Sequence, residues 1–153
     1  MGTMIYIRHA RIEWGDCDPA GIVFYPRYFA MFDSCTTGLF SQALGMSKHQ
    51  FRRHYAFDGY PMVDTRARFI IPSGFGDDIV IETRVAAIRN SSFDVEHKVF
   101  KPAAEGEQLA IEAWETRVWV GRHPHDPARL KSRPIPPVVA ARLLGSGEAK
   151  HGG

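Results

Sequence analysis

Apolar residues recur at helical spacing from Tyr28 to Leu44, through Phe29, Phe32, Cys35, Thr36, Leu39, Phe40 and Ala43. Pro26 suits the first turn of such a helix and Gly45 suits its end. The pattern predicts an aromatic-rich helix more than about four turns long that buries most of one face. A weaker helical pattern covers Lys48 to Tyr55, and a first strand lies near Ile5 to Glu13. From Val63 onward the period changes to two. Val63, Thr65, Ala67, Phe69 and Ile71 form one run, and Ile79, Ile81, Thr83, Val85 and Ala87 the next. Phe93, Val95, His97 and Val99 form a third, and a long strand runs from Gln108 to Val120. Turn residues separate these runs, as in an antiparallel meander. The last strand carries apolar residues in both parities (Leu109 and Ile111, then Trp114, Val118 and Val120), which requires a bulge or cover on both faces. Pro134, Pro136 and Pro137 lead into a short terminal helix over Val138 to Leu144. A strand, a long helix and then several antiparallel strands make an α+β layer arrangement, with the sheet wrapped around the helix.

At 153 residues the chain is one domain, read here as 1–144, followed by a small, polar, flexible tail over 145–153. Hydrophobic residues at 44% and charged residues at 24% exclude disorder for the body of the chain. Nineteen Lys and Arg against 17 Asp and Glu leave a net charge of +2, too even for a nucleic-acid or anionic-membrane partner. The most apolar stretch, Ile22 to Phe32, is short and interrupted by Pro26 and Arg27, so no membrane span is expected. The first residues show no apolar signal core. Cys17 and Cys35 match no zinc spacing and read as reduced thiols, so a cytoplasmic protein is expected. His123 and His125 stand in a proline-rich loop with only Asp126 nearby, a poor metal site. His97 alternates with Val95 and Val99 and reads as a paired histidine at the edge of the core.

The chemistry concentrates in Glu13-Trp14-Gly15-Asp16-Cys17-Asp18-Pro19-Ala20-Gly21-Ile22-Val23-Phe24-Tyr25-Pro26. A calcium loop fits Asp16, Asp18 and Gly21 but puts Arg27 where a bidentate Glu is needed. An aspartyl phosphotransferase needs an apolar parallel strand before its Asp-x-Asp, and Glu13-Trp14-Gly15 is not one. A Cys17 nucleophile has no histidine base nearby in the chain. Two readings remain. One is an ordinary strand-to-helix connection, built from the Asp, Pro and Gly of any tight turn. The other is catalysis on a carbonyl. Asp18 attacks the carbonyl or activates water, and free N–H groups near Tyr25 at the helix start stabilise the oxyanion.

The segment from Arg11 to Pro26 resembles the active-site segment of the 4-hydroxybenzoyl-CoA thioesterase family, hotdog-fold acyl-CoA hydrolases. The resemblance continues in register through Gly59–Val63, Asp77–Thr83 and Arg89–Phe93, covering roughly Arg11 to Val120. It implies a long helix wrapped by a five-stranded antiparallel sheet. It also implies paired subunits with active sites at their interface, assembling to a homotetramer. By the same resemblance Asp18 is the catalytic carboxylate, the Tyr25 backbone N–H polarises the thioester carbonyl, and Asp16 is structural. Asp33 would face the far end of an aryl acyl group. Phe24, Tyr28 and Phe32 stand where aromatics at helical spacing are usually core, and in a buried-helix fold the pocket-facing few of the same stripe would also line an acyl pocket. Arg89, Asn90 and Ser91 would meet the coenzyme A phosphates. The family enzyme carries three consecutive basic residues at that turn, and here only Arg89 is basic, so the grip on the nucleotide is weaker or is supplied elsewhere, for instance by Arg66, Arg68 or the basic loop after Arg122. No metal or redox cofactor is implied, since coenzyme A is part of the substrate. The expected activity is hydrolysis of an aromatic acyl-CoA to the free acid and coenzyme A. The alternatives are a short-chain or branched acyl-CoA, an acyl carrier protein thioester, and a non-enzymatic acyl-CoA-binding hotdog protein.

Overall fold

A computed structural model of the chain describes residues 3–145. In chain order the elements are β1 (Tyr6–Arg11), α1 (Pro26–Leu44), α2 (Lys48–His54), β2 (Met62–Phe69), β3 (Asp78–Ile88), β4 (Ser92–Ala103), β5 (Gly106–Val118), β6 (Val120–His123), β7 (Asp126–Ser132) and α3 (Pro137–Leu143). A single 3-10 turn, Trp14–Asp16, follows β1. The tail from residue 146 on lies outside the described residues.

The predicted helix forms with its predicted ends. Pro26 opens α1 with no N–H to leave unpaired, and Gly45 closes it at φ 66°, its N–H bonded to Ser41 O at 2.9 Å. Ser47 and Gln50 cap α2 reciprocally.

The five-stranded antiparallel sheet has the order β1-β3-β4-β5-β2. Only β3, β4 and β5 form the expected meander. β2 runs at the far edge beside β5, so the chain crosses the sheet between β2 and β3. Alternation reports which face of a sheet a residue takes, and it is silent about the neighbouring strand. The mixed parity of the last strand resolves as a bulge at Ala110: Val99 pairs Ile111, and Phe100 pairs Leu109. The strand then ends at Val118, and the buried Trp119 stacks on Phe57 at 3.9 Å. The loop expected after Arg122 is instead a β6–β7 hairpin, whose turn holds His123 and His125.

The core lies between α1 and the inner face of the sheet in two apolar clusters. One gathers Leu39, Phe40, Phe51, Phe93 and Trp119 around the end of α1. The other gathers Tyr28, Phe32, Ile79, Ile81 and Ile111 around its beginning. Beside them runs a fully buried polar seam. Thr36 Oγ1 on α1 donates to Glu115 Oε1 at 2.9 Å, and His97 Nε2 lies 3.2 Å from the same oxygen. His97 Nδ1 lies 2.7 Å from Thr83 Oγ1, and Phe32 stacks on its ring at 4.7 Å. Arg117 binds Glu115 through Nε at 3.0 Å and Nη2 at 3.2 Å, and also reaches Tyr60 O and Asp33. Burial alone would push the Glu115 carboxyl up. Hydrogen bonds from His97 and Arg117, and their charges, win and hold it at about 2. Burial lifts the Tyr60 phenol to about 12 against the opposing pull of Thr37 and Arg117.

Two expectations follow for stability. Gly38 lets α1 lie directly on the Tyr6 ring, since a Cβ there would fall 2.4 Å from Tyr6 Cζ. Gly38→Ala should cost about 1–3 kcal/mol in thermal or urea unfolding, despite alanine's better helix propensity, and a Tyr6→Ala partner change should relieve part of that cost. The depressed Glu115 carboxyl contributes stability that is fully present above its ordinary value of 4.5 and is lost as pH falls toward about 2. That contribution is on the order of 3 kcal/mol. Urea unfolding of Glu115→Gln should show lower stability at neutral pH and a flatter decline between those two pH values.

Candidate active site

The site builds from the connection between β1 and α1. Asp16 closes the 3-10 turn by accepting the Glu13 N–H at 2.9 Å, and its carbonyl accepts the Phe24 N–H at 2.8 Å. Cys17 bridges Val23 in antiparallel fashion, and Asp18 N–H donates to Ile22 O at 2.9 Å. Asp18-Pro19-Ala20-Gly21 is therefore the turn of a miniature hairpin, with Gly21 N–H on Asp18 O at 2.9 Å and Gly21 at φ 84°. Asp first, Pro second and Gly fourth are the residues such a turn selects. Asp18 Oδ1 accepts the Ala20 N–H at 2.9 Å, which fixes the half-buried carboxylate in one orientation and leaves Oδ2 unengaged.

The other leg of the hairpin runs straight into α1. Arg27 N–H bonds to Phe24 O at 2.8 Å and Tyr28 N–H to Tyr25 O at 3.0 Å, while Pro26 has no N–H. The Tyr25 N–H is left without an acceptor among the described residues. The first turn of α1 carries no acidic side chain, so nothing there neutralises the positive end of the helix dipole. One loop thus presents an oriented carboxylate and, beyond the Cys17–Val23 and Asp16–Phe24 pairs, a free donor at a helix start.

A cavity of about 260 Å³ opens beside Tyr25, lined by Ile22, Val23, Tyr28, Phe69, Ile71 and Ser73 among others. It is largely apolar. The Tyr28 and Ser73 hydroxyls are buried and make no hydrogen bond of good geometry. Burial raises the Tyr28 phenol above its ordinary value, partly opposed by the Ser73 hydroxyl beside it. Phe24 stands outside this cavity, half exposed against the Tyr25 ring. Phe32 is fully buried in the core, so of the three aromatics expected to line a pocket only Tyr28 does so.

Asp33 projects from α1 with its side chain 61% exposed, gripped at 2.8 Å by the buried Arg117. Arg89, Asn90 and Ser91 form the turn between β3 and β4. The Arg89 guanidinium is held by both oxygens of Asp94, at 3.1 and 2.6 Å, which lowers that carboxyl and raises the guanidinium. Asn90 O and Ser91 O accept from Ile135 and Trp119. The turn lies at the opposite end of β3 from the Asp18 loop. Eleven residues of strand separate them, about 35 Å, so one protomer does not bring the two together. Arg66 lies over the Trp114 ring on the β2 edge, and Arg68 faces Glu112 at 3.7 Å. Among the described residues no three His, Cys, Asp or Glu side chains cluster as metal ligands, and no helix is long and apolar enough to cross a membrane.

Sequence reasoning passed over Glu115 and Arg117. The available signal was two charges at inward, period-two positions that continue Ile111 and Ala113. It also passed over Lys101 and Asp77, paired at 3.1 Å beneath the Asp18 loop.

Comparison with known proteins identifies the family and the fold. The family model of the thioesterase-like superfamily matches residues 12–143. The chain is 33% identical over 127 residues to 4-hydroxybenzoyl-CoA thioesterase of Pseudomonas sp. (strain CBS-3), covering 82% of this chain and 88% of that one. It is 29% identical over 109 residues to 1,4-dihydroxy-2-naphthoyl-CoA hydrolase of Gloeothece citriformis (strain PCC 7424), covering 70% and 72%. The crystal structure of a 4-hydroxybenzoyl-CoA thioesterase Asp-to-Asn mutant, complexed with 4-hydroxybenzoyl-CoA, superposes with a TM-score of 0.82 at 30% identity, over 91% of this chain and 98% of that one. The long helix wrapped by five antiparallel strands is the hotdog fold, and the chain belongs to the thioesterase-like superfamily as a thioester hydrolase.

Proposed function

We propose that the protein hydrolyses an aromatic acyl-CoA to the free acid and coenzyme A, with Asp18 as the catalytic carboxylate. The single observation that carries this reading is the pairing, in one loop, of an oriented carboxylate with the unpaired Tyr25 N–H at a helix start. The carboxylate attacks the thioester carbonyl, or takes the proton of an attacking water. In both routes negative charge builds on the carbonyl oxygen, where the Tyr25 N–H and the helix dipole receive it, and the thiolate of coenzyme A departs. The named relatives act on aromatic CoA thioesters, and the similar crystal structure that holds 4-hydroxybenzoyl-CoA is of an Asp-to-Asn mutant. The cavity beside Tyr25 suits a ring. At about 260 Å³ it is smaller than the roughly 300–1,000 Å³ of drug-sized sites, and Tyr25, Tyr28 and Phe69 give it flat walls. We read Asp33, held by Arg117 yet open to solvent, as the residue that meets the distal end of the acyl group. Coenzyme A enters as part of the substrate, and the steps above need no further group.

Arg89, Asn90 and Ser91 serve such a site only across a subunit boundary, given their distance along β3. The β2 edge, with Met62, Val63, Phe69 and Ile70 exposed, is the surface on which a second copy would pair. We therefore read the working form as a homodimer assembling to a homotetramer. The two free thiols, Cys17 and Cys35, fit a cytoplasmic location.

Asp18→Asn should lower kcat at least about a hundred-fold while leaving the fold and assembly intact, as judged by circular dichroism and sedimentation. Wild-type turnover in that variant would overturn the assignment. A thiol-release panel of benzoyl, hydroxybenzoyl, phenylacetyl and short aliphatic CoA thioesters should show the highest kcat/KM for aroyl members. Preference for an aliphatic or carrier-protein thioester would move the substrate class. Sedimentation equilibrium should give four times the 17.2 kDa chain mass.

A further inference from the structure

Lys101 sits on the inward-facing parity of β4 that His97 and Val99 also occupy, at the rim where the strand leaves the core. Its stem follows that apolar face and its ammonium emerges beneath the Asp18 loop. There Nζ donates to Pro72 O at 2.9 Å and to Asp77 Oδ2 at 3.1 Å. Asp77 Oδ2 also accepts the Gly74 N–H at 2.8 Å, and the Asp77 carbonyl accepts the Ile12 N–H at 2.9 Å. The Gly74 N–H and Lys101 together hold the Asp77 carboxyl below its ordinary value. One charge pair therefore locks the segment 72–77 at three points: its first carbonyl, its middle amide and its last side chain.

That segment is the platform for the Asp18 turn. Val23 N–H bonds to Ser73 O at 2.9 Å, and Ile22 bridges Gly74. Ile22 O in turn receives the Asp18 N–H at 2.9 Å. The stack has no slack, because a Cβ on Gly74 would fall 2.8 Å from Gly21 O. We propose that Lys101 and Asp77 are positioning residues, a clamp that fixes the Asp18 turn relative to the start of α1. This rests on the reading of Asp18 as the catalytic carboxylate. A half-buried ion pair at the protein's rim contributes little stability on its own, commonly about 1 kcal/mol or less. Its effect here is on geometry, where a displacement of about 1 Å can cost a hundred-fold in rate.

The test uses the full-length chain with Lys101→Met, Asp77→Asn, their combination, Lys101→Arg and Gly74→Ala. Steady-state kinetics on the best thioester of the panel are read beside amide hydrogen exchange. The two single variants should each lower kcat about ten-fold or more with KM changed less than about two-fold. The combination should be no worse than either single change, since both break one clamp. Lys101→Arg should recover most of the rate, and Gly74→Ala should reproduce the loss by pushing on Gly21. Exchange at the Asp18 and Val23 amides should speed about ten-fold or more while β3 and β4 amides keep wild-type rates. Unchanged exchange at Asp18 and Val23 overturns the proposal, as does exchange that rises equally through β3 and β4. A loss carried by KM overturns it too, because it would make Lys101 a substrate contact. If Asp18→Asn retains full turnover, the catalytic reading falls by itself, and exchange alone then decides whether the clamp holds the turn.

Discussion

A helix surrounded on one side by a sheet can slide and rotate unless something pins it, and here the pin is ionic. Thr36, near the middle of α1, bonds to Glu115, which is itself shared by His97 and Arg117. Taking these charges out of water is expensive, and such groups are tolerated only when every member is satisfied. Satisfaction makes the seam directional in a way that the flanking Phe, Ile and Leu contacts are not. A shift of one helical position would leave Glu115 short of a donor inside the core. The register of α1 on the sheet is therefore set at its midpoint, and with it the place where the helix begins.

The proposed chemistry lies at that beginning. The chain enters α1 through a proline and spends the Phe24, Arg27 and Tyr28 amides on local bonds, which leaves the Tyr25 amide without an acceptor among the described residues. The Asp18 turn is a hairpin whose second leg is the entry to the helix. Carboxylate and donor thus share one rigid piece of backbone and rely on no flexible side-chain reach. The platform under that hairpin hangs from β4 through Lys101, so the sheet fixes the site from below while the helix fixes it from the side.

The legible parts of this molecule are those in which local pattern and global role coincide. The apolar stripe of α1 and its Pro26 and Gly45 ends translate directly into an observed helix. The place of β2 was hidden, because alternation over Val63 to Ile71 gives a face and no partner. The β6–β7 hairpin was hidden because Arg122 to Arg133 is almost wholly exposed and so has no alternation to show. Asp18 is recognisable from its neighbours in sequence only through the family resemblance, since Asp-Pro-Ala-Gly is equally the composition of an ordinary turn. The Glu115–Arg117 pair escapes sequence reasoning, because charges on inward strand positions run against the usual partition of residues. Phe32 takes the core side of the two roles open to an aromatic on the helix stripe and stacks on a buried histidine.

The extra residue at Ala110 acts on β5 as an insertion acts on a reading frame. Upstream of it Leu109 pairs with Phe100; downstream, every odd-numbered residue from Ile111 to Trp119 turns inward. Excising that one residue, with no change to any other letter, would transpose the two faces along the segment that follows or precedes it. Glu115 and Arg117 would be sent to water while Trp114 and Thr116 entered the core, or Leu109 would exchange faces with Gln108. A deletion at one small residue would thus rewrite the interior against which α1 packs.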